Sequence, residues 1–203
     1  MSGNEYQFTK DWFHWAPEVW SQLIPLLPVR TEQKRHFIEI GAFEGRSTVW
    51  IAENMMAAQD HLTCIDTWEG GEENSAEDMA AVEARFDHNL AVLEHRHQRI
   101  VSKVKGSSTP ALAQAIINHG IANADFIYVD GSHTAPDVLT DACMAWAMVK
   151  PKGLMVFDDY LWGNPRDALH RPKIAIDAFT NIFGETAAII HVGRQLVVRK
   201  NGS

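Results

Sequence analysis

The chain has 203 residues, 46% of them hydrophobic and 22% charged, which is ordinary globular composition and enough chain for one α/β domain with a full core. A formal net charge of -8, with no block of consecutive basic residues, excludes a phosphate-backbone grip over most of the surface, so no nucleic-acid partner is expected. The polar start Met1 to Lys10 and the lack of 18 uninterrupted apolar residues anywhere predict no membrane association and a cytoplasmic protein, in which Cys64 and Cys143 read as small buried hydrophobes rather than a disulfide.

The first distinctive segment, Phe8 to Pro28, holds Trp12, Trp15, Trp20, Leu23, Ile24, Leu26 and Leu27, interrupted by Pro17, Pro25 and Pro28. It is expected to pack on the domain as an aromatic-rich extension (residues 1–30 against a domain of 31–203), covering a mouth of the pocket or a dimer surface. A helix closing the core is the plainer reading. An exposed tryptophan-rich face also makes a homodimer an expectation.

Then the chain alternates. His36 to Gly41 reads as a strand, Ser47 to Ala58 as a helix and His61 to Asp66 as a strand bounded by turn residues. A charged helix from Ser75 to Glu94 follows, then a strand Ile100 to Lys105, a helix Pro110 to Asn118, a strand Phe126 to Asp130, a helix Pro136 to Val149 and a strand Leu154 to Asp158. Pro110 and Pro136 suit first-turn positions, and Gly153 is expected to end the helix before it. Beyond the turn-forming run Gly163-Asn164-Pro165-Arg166-Asp167 come a helix from Pro172 to Phe183 and two strands, Ala187 to His191 and Gln195 to Arg199, forming a tight antiparallel pair. Five strands alternating with helices predict a mostly parallel sheet with helices on both faces.

The turn Glu39-Ile40-Gly41-Ala42-Phe43-Glu44-Gly45-Arg46-Ser47 between the first strand and helix, with Asp66 ending the next strand, predicts a pocket for an adenosine-containing cofactor. A dinucleotide site brings closely spaced glycines up to a pyrophosphate. Here Phe43 and Glu44 stand between Gly41 and Gly45, and a carboxylate beside a diphosphate is repelled, so NAD is disfavoured. S-adenosyl-L-methionine, which lacks phosphates and carries cationic groups, fits better. Glu39 or a neighbouring acid pairs with its amino acid end, and Asp66 accepts from both ribose hydroxyls. Capping or loop chemistry is the alternative for Asp66.

Farther on, Asp130 ends one strand and Asp158-Asp159 the next, and neighbouring strands lie roughly 4.8 Å apart. Three such carboxylates repel, and a hard divalent cation (Mg²⁺, or Mn²⁺ or Ca²⁺) resolves this while leaving room for substrate oxygens. The metal-free alternative has Asp130 orienting the cofactor and the Asp pair capping a loop.

The same residues resemble the metal-dependent class I O-methyltransferases of the catechol, caffeoyl-CoA and antibiotic-sugar type, over Phe37 to Tyr160. The resemblance implies a single-domain, Rossmann-like, seven-stranded methyltransferase sheet ending in the antiparallel pair. It further implies that Gly41 and Gly45 approach the cofactor, Ser47 binds its carboxylate, Asp66 its ribose, and Ser108, in Gly106-Ser107-Ser108, its adenine. Phe43 lies within this turn, Trp68 is a candidate cover for the adenosine, and Asp130, Asp158 and Asp159 take the metal positions, the last where catechol-type enzymes have Asn. His133, three residues after Asp130, stands where those enzymes carry a lysine base. As an imidazole with an unperturbed pKa near 6.5 it suits general-base work, with a ligand role as the alternative. Arg46, Tyr160, Trp162 and Trp12-Phe13-His14-Trp15 are candidate walls of an acceptor pocket for a small hydroxylated molecule.

Overall fold

The structure, a computed structural model, describes residues 5–71, 74–163 and 167–202. Among these, seven strands form one sheet: β1 (His36–Ile40), β2 (His61–Asp66), β3 (Ile100–Lys105), β4 (Ala124–Val129), β5 (Val149–Phe157), β6 (Ala187–Val192) and β7 (Leu196–Lys200). The helices are α1 (Ala16–Leu23), α2 (Arg46–Asn54), α3 (Met79–His97), α4 (Ser108–His119), α5 (Ala135–Met148) and α6 (Pro172–Ile182), with a 3-10 turn at Ile24–Leu26. Strand order is β3-β2-β1-β4-β5-β7-β6, parallel from β3 through β5, with β7 antiparallel to both neighbours. This is the mostly parallel, Rossmann-like methyltransferase sheet with a closing antiparallel pair.

Alternation along the strands divides the core in two, because successive side chains leave a strand on opposite faces. Ile38 and Ile40 of β1 join Ile127, Met155 and Phe157 beneath α4, α5 and α6, with Trp146 and Phe179 as the large helix contributions. Phe37, Phe126, Tyr128, Val156 and Val197 face the other way, against α1, α2 and α3, where Trp20, Ile51 and Phe86 meet them. Trp20 is fully buried and meets Phe126 and Tyr128 edge-on, at ring separations of 5.3 and 4.8 Å. Helix α1 therefore completes one face of the core, while Trp12 stays half exposed on the outside.

Several boundaries differ from those the sequence pattern predicts. The charged helix starts four residues later than Ser75, because Asp78 caps it through a 3.2 Å bond from the Ala81 amide. Gly153 does not end α5. The helix stops at Met148, and β5 runs on through Pro151 with a register shift opposite Ala124 and Phe126. There a Cβ on Gly153 would lie 2.9 Å from the Lys150 carbonyl oxygen, so the glycine permits close strand packing rather than a helix cap. Cys64 is buried as expected, but Cys143 is exposed on α5. Residues 164–166 of the predicted turn after β5 lie outside the described residues.

The order β2-β1-β4 makes the gap between β1 and β4 the point where connections leave in opposite directions, and open α/β sheets bind ligands at the carboxyl ends of such strands. Gly41 sits in that gap at φ +85°, and a Cβ on it would fall 2.0 Å from the carbonyl oxygen of Asp130. Only a residue without a side chain lets the two strand ends meet. Gly41→Ala should therefore cost on the order of 3 kcal/mol or more, whereas Gly120→Ala, at φ +79° and ψ -178° with open space around it, should cost less, about 1–3 kcal/mol from backbone strain alone. Denaturant unfolding of both variants is the measurement, and equal losses would contradict the crossing argument.

Candidate active site

At the carboxyl ends of β1 to β4 lies a cavity of about 250 Å³ walled by Gly41, Asp66, Thr67, Gly106, Ser108 and Asp141, among others. Of the residues predicted to hold a cofactor, Gly41, Asp66 and Ser108 line it, whereas Glu39, Phe43, Gly45, Ser47, Trp68 and Asp130 do not. Asp66 accepts three backbone hydrogen bonds: Oδ2 from the amides of Ala42 (2.8 Å) and Phe43 (2.9 Å), and Oδ1 from that of Trp68 (2.8 Å). A carboxylate has about four acceptor sites, so most of its capacity already holds the glycine turn in shape. Room remains for one ligand hydroxyl, fewer than the two expected from sequence.

Glu39 and Ser47 face each other instead of outward. The Ser47 hydroxyl donates to Oε1 of Glu39, Thr48 donates to Oε2 at 2.5 Å, and the Cys64 thiol lies 3.3 Å from that oxygen. Glu39 is fully buried, and burial pushes its carboxyl up to about 7 against these three hydrogen bonds. The arrangement is a charge store beside the turn, closed to solvent as it stands.

Phe43 and Trp68 both carry left-handed backbone, at φ +49° and +48°, which costs a bulky residue energy and occurs where the surroundings over-determine it. Their partners are visible. The Trp68 indole donates to the Phe43 carbonyl at 2.9 Å and its ring packs on Phe86 at 4.8 Å, so Trp68 braces the turn from behind rather than covering an adenosine. Phe43 lies beside Trp12, with ring centres 5.1 Å apart.

Glu44 changes one step of the sequence argument. It is buried and accepts from the Thr9 amide and hydroxyl, each at 2.6 Å, and from Arg85 at 2.5 Å. Burial opposes its ionisation, but these partners outweigh burial and hold the carboxyl below its ordinary range. A compensated carboxylate turned into the N-terminal segment repels no diphosphate. The case against a dinucleotide thus rests on the glycine spacing alone.

The acid cluster converges one strand over. Tyr128, which sequence reading missed, places its hydroxyl between Asp130 (2.9 Å) and Asp158, and it is in turn reached by the Gln195 amide at 3.5 Å. Trp20 completes this chain by donating to Gln195 at 2.7 Å. One phenolic proton cannot serve two carboxylates at once, so the trio is short of positive charge or of a second proton. Burial first, then the neighbouring acids, push the Asp130 carboxyl well above the usual carboxylate range and that of Asp158 up to about 6. The alternation of β4 could have revealed Tyr128, since it lies two residues before Asp130 on the same face; nothing local could have revealed Gln195.

Asp159, at φ +52°, takes its amide to Oδ1 of Asp158 (2.8 Å) and turns its own Oδ2 to Nε2 of His133 at 2.5 Å. The His133 ring stacks on Trp162 with centres 4.2 Å apart. Asp130, Asp158, Asp159 and His133 are therefore neighbours at the ends of β4 and β5. Even so, among the described residues no group of three or more His, Cys, Asp or Glu is arranged to hold a metal ion. Tyr160 is buried and donates to Asp177, while Arg46 spans the Lys10 carbonyl at 3.0 Å and the Phe8 ring at 4.3 Å, which ties the N-terminal segment to α2.

Comparison with known proteins follows the same line. A methyltransferase-domain family matches residues 38–160, and the chain belongs to it. Searched against curated proteins, the sequence finds no match. Among solved structures, an O-methyltransferase from Bacillus cereus in complex with SAH is 18% identical, with 95% of this chain and 93% of that one covered and a TM-score of 0.55. The MycE methyltransferase of the mycinamycin biosynthetic pathway, in complex with Mg, SAH and mycinamycin VI, is 13% identical over 97% of this chain and 51% of its own, at 0.59. A putative rRNA methylase from Clostridium thermocellum is 9% identical, covering 97% and 99%, at 0.64. These likenesses are of fold, and they carry different acceptors on one scaffold.

The buried Glu39 has a consequence for stability. Its native carboxyl, raised to about 7 from an ordinary 4.5, favours the folded state while protonated, so its contribution is complete below about pH 4.5 and is lost as pH rises through 7. In Glu39→Gln that loss disappears. The difference between wild-type and variant melting temperatures, followed from pH 4.5 to 8, should shift in favour of the variant as pH rises. A difference independent of pH would contradict the assignment.

Proposed function

We propose that the protein is an S-adenosyl-L-methionine-dependent O-methyltransferase acting on a hydroxyl of a small metabolite, with a divalent cation held by Asp130, Asp158 and Asp159. The observation that carries this reading is the charge-deficient trio of Asp130, Tyr128 and Asp158 beside the Asp159–His133 pair, one strand from the cofactor cavity. All-oxygen donors suit a hard ion such as Mg²⁺; Asp130 and Asp158 would have to turn oxygens now bonded to Tyr128 toward it, and Asp159 would offer Oδ1 while its Oδ2 stays on His133. When bound, the cofactor supplies an electrophilic methyl group and the ion lowers the pKa of a substrate hydroxyl.

The chain's own residues do the rest. Gly41 and Asp66 shape the nucleoside end, Ser108 lines it, and Glu39 offers negative charge next to the turn. His133 takes the proton from the acceptor hydroxyl, and Asp159, already at Nε2, stabilises the imidazolium that results. Trp162 stacks on the imidazole and fixes its plane. The net charge of -8 favours a neutral or cationic small acceptor over a nucleic acid.

A second reading, a metal-free methyltransferase acting on nitrogen or a carboxylate, has one specific observation in its favour: Tyr128 already occupies the space between two of the acids. The two readings part on chelation. Methyl transfer to a panel of vicinal diols, sugars and catechols should stop in EDTA and return with Mg²⁺; full turnover in EDTA selects the metal-free reading. If binding of SAH persists with no product from any acceptor, the protein is a non-catalytic cofactor binder. His133→Ala should lower kcat by about 10²-fold or more with SAH affinity retained, and unchanged kcat would remove His133 as the base.

A further inference from the structure

Beneath α4 the sheet carries a second cavity of about 250 Å³, and among the described residues only Ile65 lines both it and the first. Strand register builds its floor. His36 pairs with His61, Thr63 with Ser102 and Ile65 with Val104, so four polar side chains stand together on a face that buried parallel strands ordinarily fill with aliphatic residues. The Nε2 of His36 lies 3.1 Å from the Thr63 hydroxyl, and that of His61 lies 2.8 Å from the Ser102 hydroxyl. These two imidazoles stack with centres 5.3 Å apart, 3° from parallel, and His119 meets His36 edge-on at 5.6 Å. Across from this floor α4 presents Ala111 and Ala115, and Leu112 is the one buried residue of the helix. Two small side chains leave the space open.

No acid lines this cavity, in a chain with 26 acids against 18 Lys and Arg. Asp60, next to His61, is already bonded to Arg30 at 2.7 Å and to the amides of Ala57 and Arg35. Asp125 on β4 is bonded to Lys150 at 2.7 Å and to the His36 amide. Burial first, then His61, His119 and Lys150, push the His36 imidazole down to about 4 against the opposing Asn123 side chain, and burial, then Lys34 and His119, lower that of His61. What these surroundings lack is negative charge.

We propose that the cavity beneath α4 is a binding site for a small organic monocarboxylate, its apolar body against Ile38, Ile65 and Val104 and its carboxylate at the imidazoles of His36, His61 and His119. The site stands apart from the methyl-transfer machinery and is independent of that reading. At about 250 Å³ the space falls below the roughly 300–1,000 Å³ of drug-sized pockets, so a single ring or a short chain fits. Aliphatic walls without a lining Lys or Arg favour one charge on a carboxylate over a phosphate dianion, whose burial costs more. At the rim Gln114 donates to Asn118 at 2.8 Å, which leaves the Asn118 NH₂ to meet a carboxylate oxygen. An anion beside the three imidazoles favours their charged form, so one of them takes up a proton from solvent as the ligand enters. Affinity then rises as pH falls.

Titration calorimetry with benzoate and hexanoate, and with their neutral isosteres benzamide and hexanamide, tests this on the wild-type chain. At least one carboxylate should bind, about 10-fold or more tighter at pH 6 than at pH 7.5, where both stay ionised, and with a proton uptake that two buffers of different ionisation enthalpy reveal. Its amide should bind about 10-fold weaker or worse at pH 6, the loss expected when a hydrogen bond to a charged group is removed. Ala115→Leu, which fills the space, should abolish the binding while the melting temperature shows a folded protein; Ala111→Val gives the same readout if the Leu variant does not fold. Binding by neither carboxylate, equal affinity for acid and amide, or affinity unchanged in a folded variant overturns the proposal. So does displacement of the carboxylate by S-adenosylhomocysteine, which would put it at the carboxyl ends of the strands instead.

Discussion

Two turns of this chain share a space that holds only one side chain's worth of atoms, and Gly41 contributes none. Its Cα lies against the Asp130 carbonyl where β1 and β4 part, and the Asp130 amide in turn donates to the Ile40 carbonyl at 2.8 Å. That contact fixes two things at once. It places the turn whose amides fold around Asp66, and it places the acid that ends β4. The cavity and the carboxylate cluster are thus held in register by backbone contacts. A methyl transfer site needs such stiffness, because its rate depends on aligning acceptor and methyl group within a fraction of an ångström.

Around this crossing the chain accepts local costs that an ordinary strand end avoids. Phe43, Trp68 and Asp159 all hold left-handed backbone at the ends of β1, β2 and β5, and each is restrained by a bond to a neighbour in the same ring of loops. Glu39, Asp130, Asp141 and Asp158 are acids in poorly hydrated surroundings, and burial raises the carboxyl of every one. Buried acids with raised carboxyls gathered at one end of the sheet, above a well-satisfied apolar core, mark the place where local rules yield to function.

What could be read from the sequence follows the range of the interactions. The limits of β2 and β3 coincide with those expected, since Asp60 and Gly106 punctuate them. The start of β5 was hidden, because Pro151 and Gly153 spell a helix stop in sequence and become a strand irregularity only once β4 supplies the neighbour. Asp66 was recognisable as the acid facing the glycine turn, yet its commitment to three backbone amides depends on the turn's conformation, which residue types do not state. Tyr128 was within reach of the period-two pattern. Gln195, 67 residues away from it, was not. Asp141 carried a signal that went unused: a charged residue on the apolar stripe of α5.

The Glu44 result shows how a correct preference can rest on an incorrect step. In sequence the carboxylate stands between the two glycines, and repulsion of a diphosphate follows if it points at the ligand. In space it is drawn the other way by Arg85 and Thr9, which pins residues near the start of the chain to α3 and to the turn. Asn89 reinforces the attachment, receiving the Gln7 amide at 2.7 Å and donating to the carbonyls of Gln7 and Glu44. The acid thus acts as a fastener for the N-terminal segment, and Trp12 reaches Phe43 because of it. Selection against dinucleotides then has to come from the glycine spacing: a turn with three residues between Gly41 and Gly45, one of them aromatic, cannot flatten against a pyrophosphate as closely spaced glycines do.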